Sequence, residues 1–127
     1  MTLLANGNVL KIYKVALGKG SGNAKQREGD HETPEGSYII DSRNTHSRFH
    51  RALHISYPNA EDLKRAQAEG VAPGGQIMIH GIQKGLGWLG SLQQKIDWTD
   101  GCVAVTDSEI DEVWRLVPIG TTVEIRH

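Results

Sequence analysis

The segment Thr106-Asp107-Ser108-Glu109 has the Ser/Thr-x-x-Glu form of a capping box, in which a hydroxyl and a carboxylate satisfy the orphaned N–H groups of a helix start. Ile110, Val113, Trp114 and Val117 follow at i, i+3, i+4 and i+7, and Pro118 and Gly120 close the run. That spacing predicts a helix with one apolar stripe, which must lie against a core built by the rest of the chain. The rest of the chain offers mostly short strands. Residues 8–17 alternate apolar and polar, with Leu10, Ile12 and Val15 expected to be buried. Residues 37–41, 76–80, 102–105 and 121–125 also read as strands, and 51–57 carries a weaker strand pattern. Ile77-Met78-Ile79 is an unbroken apolar run, as expected of a strand buried on both faces.

Turns punctuate these strands. Thr33-Pro34-Glu35-Gly36 and Pro73-Gly74-Gly75 combine a preset proline dihedral with glycine freedom. Asn59 can cap a second helix that stops at Gly70, and its polar surface predicts a place outside the core. Residues 81–94 hold four glycines around Trp88 and room for a short helix near their end. The sum is one domain over residues 1–127, mainly β with α, with two or three peripheral helices.

Charge excludes some function classes. The formal net charge is −1 and the Lys and Arg residues are scattered, so nothing favours nucleic acid or an anionic membrane surface. No apolar run reaches membrane-spanning length. The opening Met1-Thr2-Leu3-Leu4-Ala5 is too short for a secretory signal, so an exported protein of this sequence would have had its targeting segment removed. The single cysteine, Cys102, cannot form an internal disulfide, which is compatible with either redox compartment.

Cys102 sits in Asp97-Trp98-Thr99-Asp100-Gly101-Cys102, and His80-Gly81 ends a strand 22 residues earlier. A thiol and an imidazole on strand ends are the minimum kit for a cysteine nucleophile with a general base, the imidazole taking the thiol proton to leave a thiolate–imidazolium pair. Without such a base, a lone cysteine is a small inert hydrophobe. Gly101 and Gly81 allow close approach on either side, and N–H groups near Gly101 and Cys102 could face an oxyanion. Other arrangements are weaker. His46, His50 and His54 would share one face of a helix and suggest zinc, but the strand-like 52–56 interrupts it. The glycine-rich 18–29 loop could cradle a phosphate only if a helix followed, and a strand follows. Asp97 and Asp100 read as turn residues, His31 as a solvated loop residue, and Trp88 and Trp98 as core or groove walls.

His80-Gly81 followed by Thr99-Asp100-Gly101-Cys102-Val103, together with Thr33-Pro34-Glu35-Gly36 before a strand, resembles the signature of the L,D-transpeptidases of the YkuD fold family, over about Val9 to Ile125. The resemblance implies a β-sandwich catalytic domain in the periplasm or cell envelope, acting on peptidoglycan stem peptides without metal or organic cofactor. It implies Cys102 as nucleophile, His80 as base and Gly101 in the oxyanion region, with Thr99 and Asp100 at the two motif positions just upstream; Gly81, Thr99, Asp100, the neighbouring Trp98 and Arg48 are the expected substrate-site residues. Arg43, Arg48 and Arg51 are possible partners for stem carboxylates. Two residues after the cysteine, where the family usually has arginine or asparagine, this chain has Ala104. That form resembles a branch of envelope proteins that includes a hydrolase releasing lipoprotein from peptidoglycan. Transfer, hydrolysis with an envelope lipoprotein as partner, and a non-catalytic peptidoglycan-binding module all remain open at this level.

Overall fold

A computed structural model describes residues 1–82, 86 and 97–126. The chain opens with a hairpin of β1 (Thr2–Ala5) and β2 (Asn8–Ile12). Asn6 and Gly7 join them with φ of 51° and 80°, the two positive dihedrals of a tight hairpin turn. Then come β3 (Gly36–Ser47), β4 (His50–Ile55), α1 (Ala60–Glu69), β5 (Met78–His80), β6 (Val103–Ala104), α2 (Asp107–Leu116) and β7 (Thr122–Ile125). The last five strands form one sheet in the order β6-β5-β4-β3-β7, and β1-β2 form a separate ribbon. All pairs are antiparallel except β5 with β6. The architecture is mainly β with two α-helices among the described residues, as the sequence indicates. Trp88 and the short helix expected near the end of 81–94 lie outside the described residues. No described helix is long and apolar enough to cross a membrane.

Both helices form where the sequence places them. At α1, Asn59 and Asp62 make a reciprocal capping box and Gly70 ends the helix in the left-handed region. Only Asp62 and Ala66 of α1 are buried, which leaves the helix outside the core. At α2, the Thr106 hydroxyl accepts the Glu109 N–H and donates to the Glu109 carboxylate. Ile110 and Val113 are sealed beneath α2, with Val117 beside them. They meet Tyr38 and Ile40 of β3, Leu53 and Ile55 of β4, Ile79 of β5, and Val103.

Three strand expectations need correction. Leu10 and Ile12 are 58% and 70% exposed, not buried. β2 is the outer strand of a two-stranded ribbon, so neither of its faces reaches the core. The regular strand also stops at Ile12 rather than Leu17, and the chain continues extended to pair Ala16 with Ala104 in both directions. β3 runs six residues beyond Asp41, to Ser47, because it pairs with β7 at its start and with β4 further on. Leu53→Ala should therefore lower stability by about 2–5 kcal/mol. Ile12→Ser should change it by less than about 0.5 kcal/mol. Urea unfolding of the two variants checks the contrast.

Candidate active site

The parallel ladder between β5 and β6 joins the two halves of the motif. Ile79 pairs with Val103 and His80 with Ala104, although 22 residues separate His80 from Cys102 in the chain. Cys102 lies just before β6, two positions ahead of Ala104, so strand alternation carried one residue further would put it on the sheet face of His80. From strand spacing and rise, the two Cα atoms are about 8 Å apart, within reach of side chains that lean together. Across the sheet His80 also pairs with Ala52. The imidazole thus sits in a row between two fully buried methyl groups, Ala52 and Ala104.

His80 is 2% exposed. Phe49, at the tip of the β3–β4 hairpin, stacks on it with ring centres 4.3 Å apart, and Trp98 meets it edge-on at 5.9 Å. Its Nδ1 lies 2.6 Å from the Gly81 carbonyl oxygen. A carbonyl only accepts, so Nδ1 carries the proton and Nε2 is the basic nitrogen. Burial lowers the imidazole pKa, and the Gly81 bond only partly opposes this. Gly81 itself is buried, and a Cβ there would fall 2.5 Å from an Asp107 carboxylate oxygen. That carboxylate accepts the Ile82 N–H and ties the end of β5 to the start of α2.

Cys102 is partly buried, and its Sγ donates to the Gln76 carbonyl at 3.4 Å. Burial raises the thiol pKa, and the Asp100 charge adds to that rise; a backbone bond at Met78 and the Lys25 charge oppose it. The shifts of Cys102 and His80 therefore both favour neutral forms. Burial thus disfavours the charged form of each group, whereas the motif reading allowed a thiolate–imidazolium pair.

The loop that presents the thiol is held from several sides. Thr99 is buried, its hydroxyl donates to the Cys102 carbonyl at 2.7 Å, and it accepts the Gly101 N–H at 3.1 Å. The Gly101 N–H is thereby engaged inside the loop. Gly101 has φ of 126°, and a Cβ there would lie 2.6 Å from the Glu32 carbonyl oxygen. Asp100 is exposed and pairs with Lys19 at 2.9 Å and His31 at 3.0 Å. Those contacts, led by the Lys19 hydrogen bond, outweigh burial and lower its pKa. Asp97 accepts the Leu17 N–H, a tie between distant segments and not the local turn bond that the sequence suggested.

The remaining candidates separate cleanly. Arg43 lies 3.8 Å over the Trp114 ring and donates to the Trp114 carbonyl. Arg51 pairs with Asp111 and faces the same ring. Arg48 is exposed and packs over Phe49 at 5.0 Å, which places it at the rim of the histidine's cover. His50 and His54 pair with different acids, Asp111 and Asp41, on strand β4. No cluster of three metal-binding side chains occurs among the described residues. The glycine loop does cradle an anion, but the anion is the chain's own Glu32 carboxylate, held by the Ser21 and Gly22 N–H groups. Sequence reasoning missed Glu32 and Phe49. The glycine-rich loop was the signal for an anion, whereas nothing in the pattern of Phe49 announces a stacked imidazole. A cavity of about 820 Å³ lies against the other face of the sheet, lined by residues such as Leu3, Ile40, Ile79, Val103 and Val113, and does not include the thiol.

Two outcomes follow from this geometry. Gly101→Ala forces a Cβ into the Glu32 carbonyl, so it should abolish reaction of Cys102 with iodoacetamide or slow it at least about tenfold. In the wild type, that rate should keep rising as pH passes 9.0, the ordinary thiol value, because the thiol ionises late. A rate that levels off near pH 7 or below would instead mark a preformed thiolate–imidazolium pair.

The family model of YkuD, the L,D-transpeptidase catalytic domain, matches residues 1–125. A protein of Escherichia coli strain K12 named "Putative L,D-transpeptidase YafK" is 32% identical over 111 residues, covering 86% of this chain and 37% of the relative. The chain thus spans little more than a third of that relative's length. The helical cell shape determining protein Pgp2 of Campylobacter jejuni superposes with a TM-score of 0.66 at 24% identity, over 93% of this chain and 40% of that one. An L,D-transpeptidase of Xylanimonas cellulosilytica gives a TM-score of 0.65 at 20% identity, over 98% and 54%. These two share the fold. With the family match running through both the His80-Gly81 and Thr99–Cys102 motifs, the chain belongs to the YkuD family of L,D-transpeptidase catalytic domains.

Proposed function

We propose that the chain is a cysteine acyl-transferase acting on peptidoglycan stem peptides in the periplasm, with Cys102 as nucleophile and His80 as general base. The observation that supports this reading is the β5–β6 register, which brings the strand end of His80 alongside the segment that follows Cys102, while the Gly81 bond leaves Nε2 as the basic nitrogen. The sulfur leaves the Gln76 carbonyl and passes its proton to Nε2 as it attacks the carbonyl of the third stem residue. Because burial disfavours the charged form of each group, proton transfer accompanies the attack. The imidazolium then protonates the departing D-alanine amine, and a thioester to Cys102 remains. An acceptor amine or water, deprotonated by His80, breaks the thioester and restores the thiol. With the Gly101 N–H held by Thr99, the Cys102 N–H is the nearest candidate donor to the oxyanion. Gly101 and Thr99 act by shaping that loop, and Asp100 keeps its charge beside Lys19. Trp98 and Gly81 frame the imidazole, and Arg48 at the rim binds a stem carboxylate.

A second reading, hydrolysis of a peptidoglycan–lipoprotein link, is favoured by Ala104. A methyl group in the row beside His80 offers no side-chain donor where the family usually has one. The decisive experiment incubates the chain with tetrapeptide muropeptides and, separately, with lipoprotein-loaded sacculi, and follows products by mass spectrometry. Loss of D-alanine from muropeptides, absent in Cys102→Ala, is the expected result. Lipoprotein release alone supports the second reading. Binding to sacculi with no product from either substrate would identify a binding module and overturn both. Arg48→Ala should raise KM about tenfold, or ~1.4 kcal/mol, with kcat nearly unchanged.

A further inference from the structure

We infer that Glu32 is a positioning residue for the nucleophile: its carboxylate clamps the 19–22 strap so that Lys19 stays beside Asp100 and balances the charge facing Cys102. The inference rests on the reading of Cys102 as the reacting group.

Glu32 is 7% exposed, unusually deep for an acid with no cation bound to it among the described residues. Oε1 accepts both the N–H and the hydroxyl of Ser21 at 2.6 Å, and Oε2 accepts the Gly22 N–H at 3.1 Å. The Ser21 hydroxyl is the chief cause holding the carboxyl below its usual range, so it is an anion here. The strap runs close over it. A Cβ on Gly20 would lie 2.4 Å from the carboxyl carbon, and the Gly20 N–H reaches the His31 carbonyl. The residues on either side of this clamp both act on the nucleophile loop. Lys19 donates its backbone N–H to the Thr99 carbonyl and its ammonium to Asp100. His31, next to Glu32, reaches the same Asp100 oxygen. The Glu32 carbonyl lies against Gly101 from below. One residue therefore touches the backbone beside the thiol and fixes the cation that offsets Asp100.

The arrangement does more than hold a loop. Asp100 pushes ionisation of the thiol upward, while Lys25, buried with Asp30, pushes it down. The Lys19–Asp100 pair is exposed, so it adds little to stability, but its charge sits next to the sulfur's loop. Releasing the strap would leave Asp100 less balanced and make the thiolate harder to form.

Glu32→Gln keeps the shape but turns an amide NH2 toward N–H donors. The test measures the pH dependence of Cys102 alkylation by iodoacetamide for wild type, Glu32→Gln, Lys19→Met and the double variant, with thermal melting to confirm folding. Both single variants should move the midpoint upward by a few tenths of a pH unit, and the double variant should move no further than the larger single. A wild-type midpoint in Glu32→Gln, or shifts that add in the double variant, would overturn the inference. Should Glu32→Gln not fold, Ser21→Ala with and without Lys19→Met carries the same comparison. Alkylation needs no muropeptide, so its result is independent of whether the chain turns over stem peptides.

Discussion

The parallel pairing of β5 with β6 is two residue pairs long, and the candidate chemistry depends on it. Parallel neighbours need a long crossover, so the two motif halves must be far apart in sequence to be close in space. His80 and Cys102 are separated by the residues that make this crossover. The ladder is secured from both sides. β4 pairs with β5 on one edge, and the extended chain through Ala16 pairs with Ala104 on the other. Val105 adds a bond from its N–H to the His80 carbonyl, so the strand carrying His80 is fixed at its end as well.

The ladder also places small residues beside the imidazole. Ala52 and Ala104 flank His80 in register, and both are fully buried. Phe49 and Trp98 then close over the imidazole from the open side. The Gly81 carbonyl fixes the tautomer of this imidazole, and burial lowers its pKa.

Much of the fold could be read from local pattern. The α1 and α2 caps depend on neighbours a few residues apart, so sequence alone placed them, whereas Thr33-Pro34-Glu35-Gly36 leads straight into β3 at Gly36 and β5 keeps only Met78–His80 of the expected 76–80. The Asn6-Gly7 hairpin was equally readable and was passed over. Burial of Leu10 and Ile12 failed because alternation shows that a strand has two faces, not that either face meets a core. At the candidate site, the motif singles out His80 and Cys102 by residue type and order. It does not single out Phe49 and Glu32, since their contacts come from a hairpin tip and a strap that meet only after folding. The charge state of the pair was also hidden, because it depends on burial that no spacing encodes.

The Glu32 carboxylate fills a cradle of backbone N–H groups that in another protein could receive a mobile anion. Here the occupant is tethered 10 and 11 residues along the chain, so its local concentration does not fall on dilution or dialysis. Free phosphate or sulfate must compete with a counter-ion that never diffuses away. The Ser21–Gly22 cradle is thereby kept filled whatever the free anions around it.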